Sequence, residues 1–171
     1  YHAPFFCRLG DLCESLGIEV VLYYGAESGR HIRAEVPDWC VPIRVKNCCS
    51  VTWQPAFSSS AEADLVIVEQ AVKHLILYPL LARRAISRQK LAFWGHGKNF
   101  QARNPNSLQE RLKRVASRHV DWWFAYNELS ASVVRDLGFP GNRITSVQNS
   151  IDTKALDAGL ALDLVSHCES A

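Results

Sequence analysis

Apolar residues recur with a helical period near the start of the chain. Phe5, Phe6, Leu9, Leu12, Cys13 and Leu16 fall on one face of a helix predicted over residues 4–16, and Gly17 is placed to stop it. Residues 18–24 form a short apolar, β-branched run that reads as a buried strand ending at Gly25. A helix that leads straight into a buried strand implies an earlier strand, and none is seen. Residues 26–60 lack a clear period. Pro37, Pro42 and Pro55, with Ser58, Ser59 and Ser60, predict a long loop region in which residues 41–45 are the one candidate strand.

Regular patterning returns at Asp64. Residues 65–68 read as a strand and 71–86 as a helix that Pro79 should kink or divide. Residues 91–94 are a strand ending in Gly95-His96-Gly97, followed by a polar loop over 98–106. Ser107 and Glu110 have the spacing of a capping box opening a helix to about His119. Residues 120–126 read as a strand and 128–137 as a helix stopped by Gly138. Residues 143–148 form a last strand, and 153–167 a helix weakened by Gly159. Short apolar strands alternating with helices predict an α/β fold, a Rossmann-like doubly wound parallel sheet. The expected division is a domain over residues 1–153 and a helical tail or linker over 154–171.

Composition narrows the class. The 171 residues suffice for one domain, and 48% apolar with 21% charged residues is ordinary for a globular one. No apolar window is long enough for a membrane span. The chain has no Met, so we expect a fragment or processed product. Six cysteines, Cys7, Cys13, Cys40, Cys48, Cys49 and Cys168, lack the spacing of a zinc or redox motif. They read as reduced thiols in a cytoplasmic protein. Net charge is +2, but residues 73–118 carry eleven Lys or Arg against one acid, whereas residues 1–70 carry five against nine. That asymmetry fits either a face that meets an anionic partner or a solvated basic surface.

Ligands of open α/β sheets bind at the carboxyl ends of the strands. The residues there are Glu69-Gln70, Gly95-His96-Gly97-Lys98-Asn99, Tyr126-Asn127-Glu128 and Asn149-Ser150-Ile151-Asp152. Two glycines around His96 allow close approach of a ligand, Lys98 suits a phosphate and Asn99 a hydroxyl. The same turn also reads as a tight bend with an exposed histidine. Phe100 replaces the third glycine of a dinucleotide fingerprint, which excludes that reading. Glu69 is either a ligand for a hydroxyl or a base, or a helix-start carboxylate. Asn127 and Glu128 read as a cap with a first-turn acid. The basic helix after Ser107 fits an anionic membrane surface or plain packing. Walker A, nucleophile-elbow, His-Glu-x-x-His and nucleic-acid-binding motifs are absent from the sequence.

The run VDWWFAYNELSASVVRDLGFPGNRITSVQNSIDT, from Val120 to Thr153, resembles a segment of GT4-type glycosyltransferases. LAFWGHGKNF looks like the preceding strand and His-bearing loop, ADLVIVEQA like the strand before it, and residues 1–25 like the first helix and second strand. Ser150 and Gln148 depart from the usual Gly and Pro of the hinge turn. The resemblance implies the N-terminal, acceptor-side half of a GT-B fold. In that family a sugar moves from a nucleotide-diphosphate donor to a lipid-linked, phosphorylated or saccharide acceptor, generally without a metal or other cofactor. By carry-over, His96 faces the reacting sugar, Glu69, Gly95, Gly97, Lys98 and Asn99 line the acceptor pocket, and Asn149 and Asp152 lie at the interdomain hinge. The family implies cytoplasmic work, peripheral at an anionic inner membrane face, for polysaccharide biosynthesis in bacteria, with no nucleic-acid partner. The first strand with its Gly-rich loop and the donor half would lie outside the given chain, so the intact parent and not these 171 residues is expected to be active. The alternative is a non-catalytic Rossmann-like module that binds a sugar phosphate or an anionic partner.

Overall fold

The computed structural model describes residues 3–25, 37–97 and 108–148. Its centre is a four-stranded parallel sheet in the order β5-β6-β7-β8, built from Leu65–Glu69, Lys90–Gly95, Trp122–Ala125 and Ile144–Ser146. The connections carry α2 (Leu77–Ile86), α3 (Leu108–Ser117) and α4 (Glu128–Asp136), as parallel neighbours require. A parallel sheet flanked by helices is compatible with the expected Rossmann-like class.

Strand residues alternate between the two faces of this sheet. Phe93 and Trp123 are fully buried and meet edge to face with ring centroids 5.3 Å apart. They share a core with Leu77 and Leu80 of α2, Ala116 of α3 and Val134 of α4. The next residues, Trp94 and Phe124, point to the other face, where α1 (Ala3–Ser15) brings Phe5 and Phe6 onto Trp94. Coverage of that second face is partial. Leu65 and Ile67 of β5 are both 44% exposed, and the predicted α1 stripe leaves Leu12 and Leu16 in solvent.

The sheet is smaller than the sequence pattern suggests. β1 (Leu22–Gly25) pairs in parallel with β2 (Cys40–Ile43), and these two form a sheet of their own. Among the described residues β1 pairs only with β2 and β5 only with β6. Tyr23 and Ile43 nonetheless pack against the main core. Gly10 lies against the Trp39 indole, where an added Cβ would come within 2.6 Å of Cζ2, so α1 and the start of β2 touch at a position only glycine fits.

The expected long loop contains a hairpin, β3 (Lys46–Cys48) and β4 (Val51–Trp53). Its edge continues into residues 71–76: the Thr52 amide donates to the Lys73 carbonyl at 2.7 Å and the Leu75 amide to the Thr52 carbonyl at 2.8 Å. That pairing holds 71–76 out of a helix, so α2 starts six residues later than the pattern predicts. Pro79 then falls in the first turn, where a missing amide costs nothing and no kink results. The Arg83 guanidinium donates to the Phe57 carbonyl at 2.6 Å and stacks 3.6 Å over the Phe57 ring, and buried Gln89 donates to the carbonyls of Ser60 and Ala63. These bonds fix the serine-rich turn against α2. The described end of α3 stops near its expected position, and Gly138 closes α4 with φ +83°. The capping serine at 107 and the proposed helix over 153–167 lie outside the described residues.

Candidate functional site

Parallel register brings the carboxyl ends of β5, β6 and β7 to one edge. Glu69 pairs with Trp94, Trp94 with Phe124 and Gly95 with Ala125. Backbone bonds carry the alignment one residue further. The Gln70 amide donates to the Trp94 carbonyl at 3.0 Å and the Tyr126 amide to the Gly95 carbonyl at 3.3 Å. Glu69, His96 and Tyr126 are thereby gathered at the same end of the sheet, as the strand-end rule predicts.

His96 is exposed but not loosely held. Its Nδ1 lies 3.1 Å from Ser130 Oγ, and its ring meets the Tyr126 ring edge to face, with centroids 4.4 Å apart. Tyr126 in turn packs against Trp94 with ring centroids 6.2 Å apart, and Trp94 against Phe5 at 5.3 Å. A ladder of aromatic rings thus runs from α1 up to the imidazole. Burial pushes the Tyr126 phenol above its ordinary pKa, and the nearby Glu69 carboxylate adds to the shift, with a smaller opposing effect from Trp94. The phenol stays a neutral donor and acceptor through the physiological range. His74, also near Glu69, is pushed down by burial, which outweighs the attraction of that carboxylate.

The glycines of the turn serve the backbone. Gly97 has φ +73°, and a Cβ there would sit 2.7 Å from Val134 Cγ2. Its lack of a side chain lets the turn lie directly on α4, so packing against Val134 is a role beyond the expected pocket lining. Gly95 is buried in β6 with Gln70 beside it. Gln70 is 8% exposed, and its Nε2 donates to Ser117 Oγ at 2.6 Å and to the Gly97 carbonyl at 3.4 Å. This glutamine supports the turn from behind and ties it to α3. Sequence reasoning noted Gln70 only as a neighbour of Glu69. A polar residue directly after a buried strand was the available signal.

Asn127 caps α4 as its sequence suggests. Its Oδ1 accepts the Ser130 amide at 2.9 Å, and Glu128 pairs with Arg135 at 3.4 Å. Of the site residues expected from sequence, Glu69, Gly95, His96 and Gly97 come together here. Lys98, Asn99, Asn149 and Asp152 lie outside the described residues. Ser130 was missed, because a serine in the first turn of a helix carries no distinguishing pattern.

Part of the basic excess has internal partners. Arg84 forks onto Asp121 at 2.9 and 3.0 Å, Lys90 reaches the same carboxylate at 3.7 Å, and Arg118 donates to the Leu137 carbonyl at 2.8 Å. Arg111 and Arg114 of α3 are exposed. Among the described residues no group of three or more His, Cys, Asp or Glu could hold a metal ion, and no helix is long and apolar enough to cross a membrane. In comparison with known proteins, the chain matches no family model and no curated protein.

Proposed function

We propose that this chain is the acceptor-side half of a glycosyltransferase of GT-B type. In this reading it holds a saccharide, phosphorylated or lipid-linked acceptor at the carboxyl edge of β5, β6 and β7, while a nucleotide-diphosphate sugar is presented from a second half. The observation that carries the reading is the juxtaposition of Glu69, His96 and Tyr126 over an aromatic floor that includes Trp94. A carboxylate, an imidazole and a phenol supply the few directed polar groups that orient hydroxyls, and the rings supply apolar surface for a sugar face. The order of strand, His-bearing turn, capped helix and Gly-x-Pro turn adds support from sequence.

Sugar transfer requires acceptor and donor in line, with the charge of the departing diphosphate stabilised. His96 and Glu69 serve the first requirement by fixing the acceptor hydroxyl. No metal or other cofactor is invoked. The test is transfer of a labelled sugar by the gene's full-length product, across a panel of nucleotide-diphosphate sugars and glycan or lipid-linked acceptors. We expect turnover, reduced by about 100-fold or more in His96→Ala, the scale of losing an orienting or proton-transfer group. Absence of transfer with every donor, or full activity in His96→Ala, would contradict the proposal.

A further inference from the structure

We infer that Cys48 and Cys49 form an exposed dithiol site for a trivalent arsenical, a thiophile whose central atom bonds two sulfurs at once. The inference starts from the hairpin of β3 and β4. Its register pairs Cys48 with Val51, which leaves Cys49 and Ser50 as a two-residue loop. Cys49 has φ +52°, and the φ of Ser50 is not positive. That is the pattern of a type II′ turn, whose first position favours glycine. Cys49 therefore holds a left-handed backbone with strain that glycine would avoid. Its side chain is exposed, as is that of Cys48, and both are free thiols, so core packing accounts for neither.

The strands on either side hold the turn in place. Thr52 Oγ1 donates to Asn47 Oδ1 at 2.9 Å across the hairpin, and the Thr52 backbone bonds to Lys73 and Leu75 fix the outer strand. Two adjacent thiols are thus presented to solvent on an anchored turn.

Adjacency decides what the pair takes. Neighbouring Cα atoms across a trans peptide are about 3.8 Å apart. A disulfide usually spans roughly 4.4–6.8 Å between Cα atoms, so a direct S–S bond between these residues would be compressed. One atom set between the sulfurs lengthens the bridge and relieves that compression. Thiolates are soft ligands and prefer soft atoms such as arsenic(III). With phenylarsonous acid, two As–O bonds break and two As–S bonds form. The two thiol protons leave with the hydroxyls as two waters, and arsenic stays trivalent. After the first As–S bond forms, the second is intramolecular, and its high effective concentration makes the adduct persistent.

Cys7 and Cys40 are the rival pair. Gly10, one turn after Cys7 in α1, lies against Trp39, the neighbour of Cys40. Both of these thiols are half-buried. Burial pushes the Cys40 thiol above its ordinary pKa and Cys7 adds to the shift, so Cys40 yields less of the reactive thiolate.

The test is native mass spectrometry of the full chain, reduced with a phosphine and treated with one equivalent of phenylarsonous acid, followed by a chase with excess glutathione. We expect one phenylarsenic group per chain, mapped to residues 48 and 49. It should outlast the chase about tenfold longer than in Cys48→Ser or Cys49→Gly, where only single-sulfur attachment remains. Cys49→Gly also relieves the turn strain, so it should fold and melt no lower than the unsubstituted chain. Cys7→Ser with Cys40→Ser should retain the adduct fully. Release of the group from the unsubstituted chain as fast as from Cys49→Gly overturns the inference, as does an adduct that survives in Cys49→Gly or disappears in Cys7→Ser with Cys40→Ser. None of these outcomes depends on sugar transfer.

Discussion

Asp121 shows how one side chain can hold several elements at the residue scale. It lies just before β7, accepts two bonds from Arg84 of α2 and one from the Leu91 amide of β6 at 3.0 Å, and faces Lys90. Burial alone would raise its pKa, but the Arg84 hydrogen bonds, the Leu91 amide and the two cations outweigh it, and the carboxyl is held below its ordinary range. The folded-state pKa is therefore depressed relative to the unfolded chain. The resulting stabilisation is fully present above the unfolded value and is lost as pH falls through the folded one. Asp121→Asn should cost about 2 kcal/mol at neutral pH, between the values for an exposed pair and a buried one. Denaturant melts should show that deficit shrinking below about pH 4. A deficit independent of pH would remove the carboxylate from this account. Gly97 makes a steric prediction at the same scale. Gly97→Ala combines φ +73° with a 2.7 Å approach to Val134, and thermal melts should show a loss of about 1–3 kcal/mol. Part of it should return in Gly97→Ala with Val134→Ala, since the shortened Val134 side chain removes the clash but not the backbone strain.

Elements whose signals are local were legible in the sequence. Asn127 four residues before Ala131, with Glu128 next to it, spells a helix start, and the structure places the cap bond where that spelling puts it. Asn127→Ala should lower stability by about 1 kcal/mol, and Asn127→Asp should retain most of it, as urea titrations can measure. Loss of stability by the aspartate as large as that by the alanine would contradict the capping role. The strands at 65–69, 90–95 and 122–125 were also legible, because a buried parallel strand is a short apolar run bounded by polar residues. Elements decided by distant pairing were not. Val51 and Thr52 look like loop until their partners at 46–48 and at His74 are known, and Cys49-Ser50 is not a recognised hairpin turn pair. The same pairing delayed α2, a tertiary effect that overrode the helical pattern of residues 71–76. At the candidate site, strand-end position exposed Glu69, His96 and Tyr126, whereas Ser130 and Gln70 act only through packing that brings α4 and α3 to the turn.

Among the described residues, the sheet is well packed on one side and incompletely covered on the other. Leu12, Leu16, Ile18 and Val21 are 57, 66, 52 and 45% exposed, and Leu65 and Ile67 add apolar surface on β5. Exposed apolar residues beside strand edges that no described residue pairs favour association. Sedimentation velocity on the chain of residues 1–171 should show a weight-average coefficient that rises with concentration, and Leu65→Lys with Ile67→Lys should flatten the rise. A concentration-independent monomer would show that these positions drive no self-association. The polar edge at the other end of the same strands carries the functional claim. Its most direct test is a titration of the 15N-labelled chain with a phosphorylated sugar, followed by amide chemical shifts. We predict saturable shifts centred on Glu69, His96 and Tyr126 that are lost in His96→Ala. Shifts scattered over exposed arginines such as Arg111 and Arg114, or unchanged by His96→Ala, would contradict a ligand site at the ends of β5, β6 and β7.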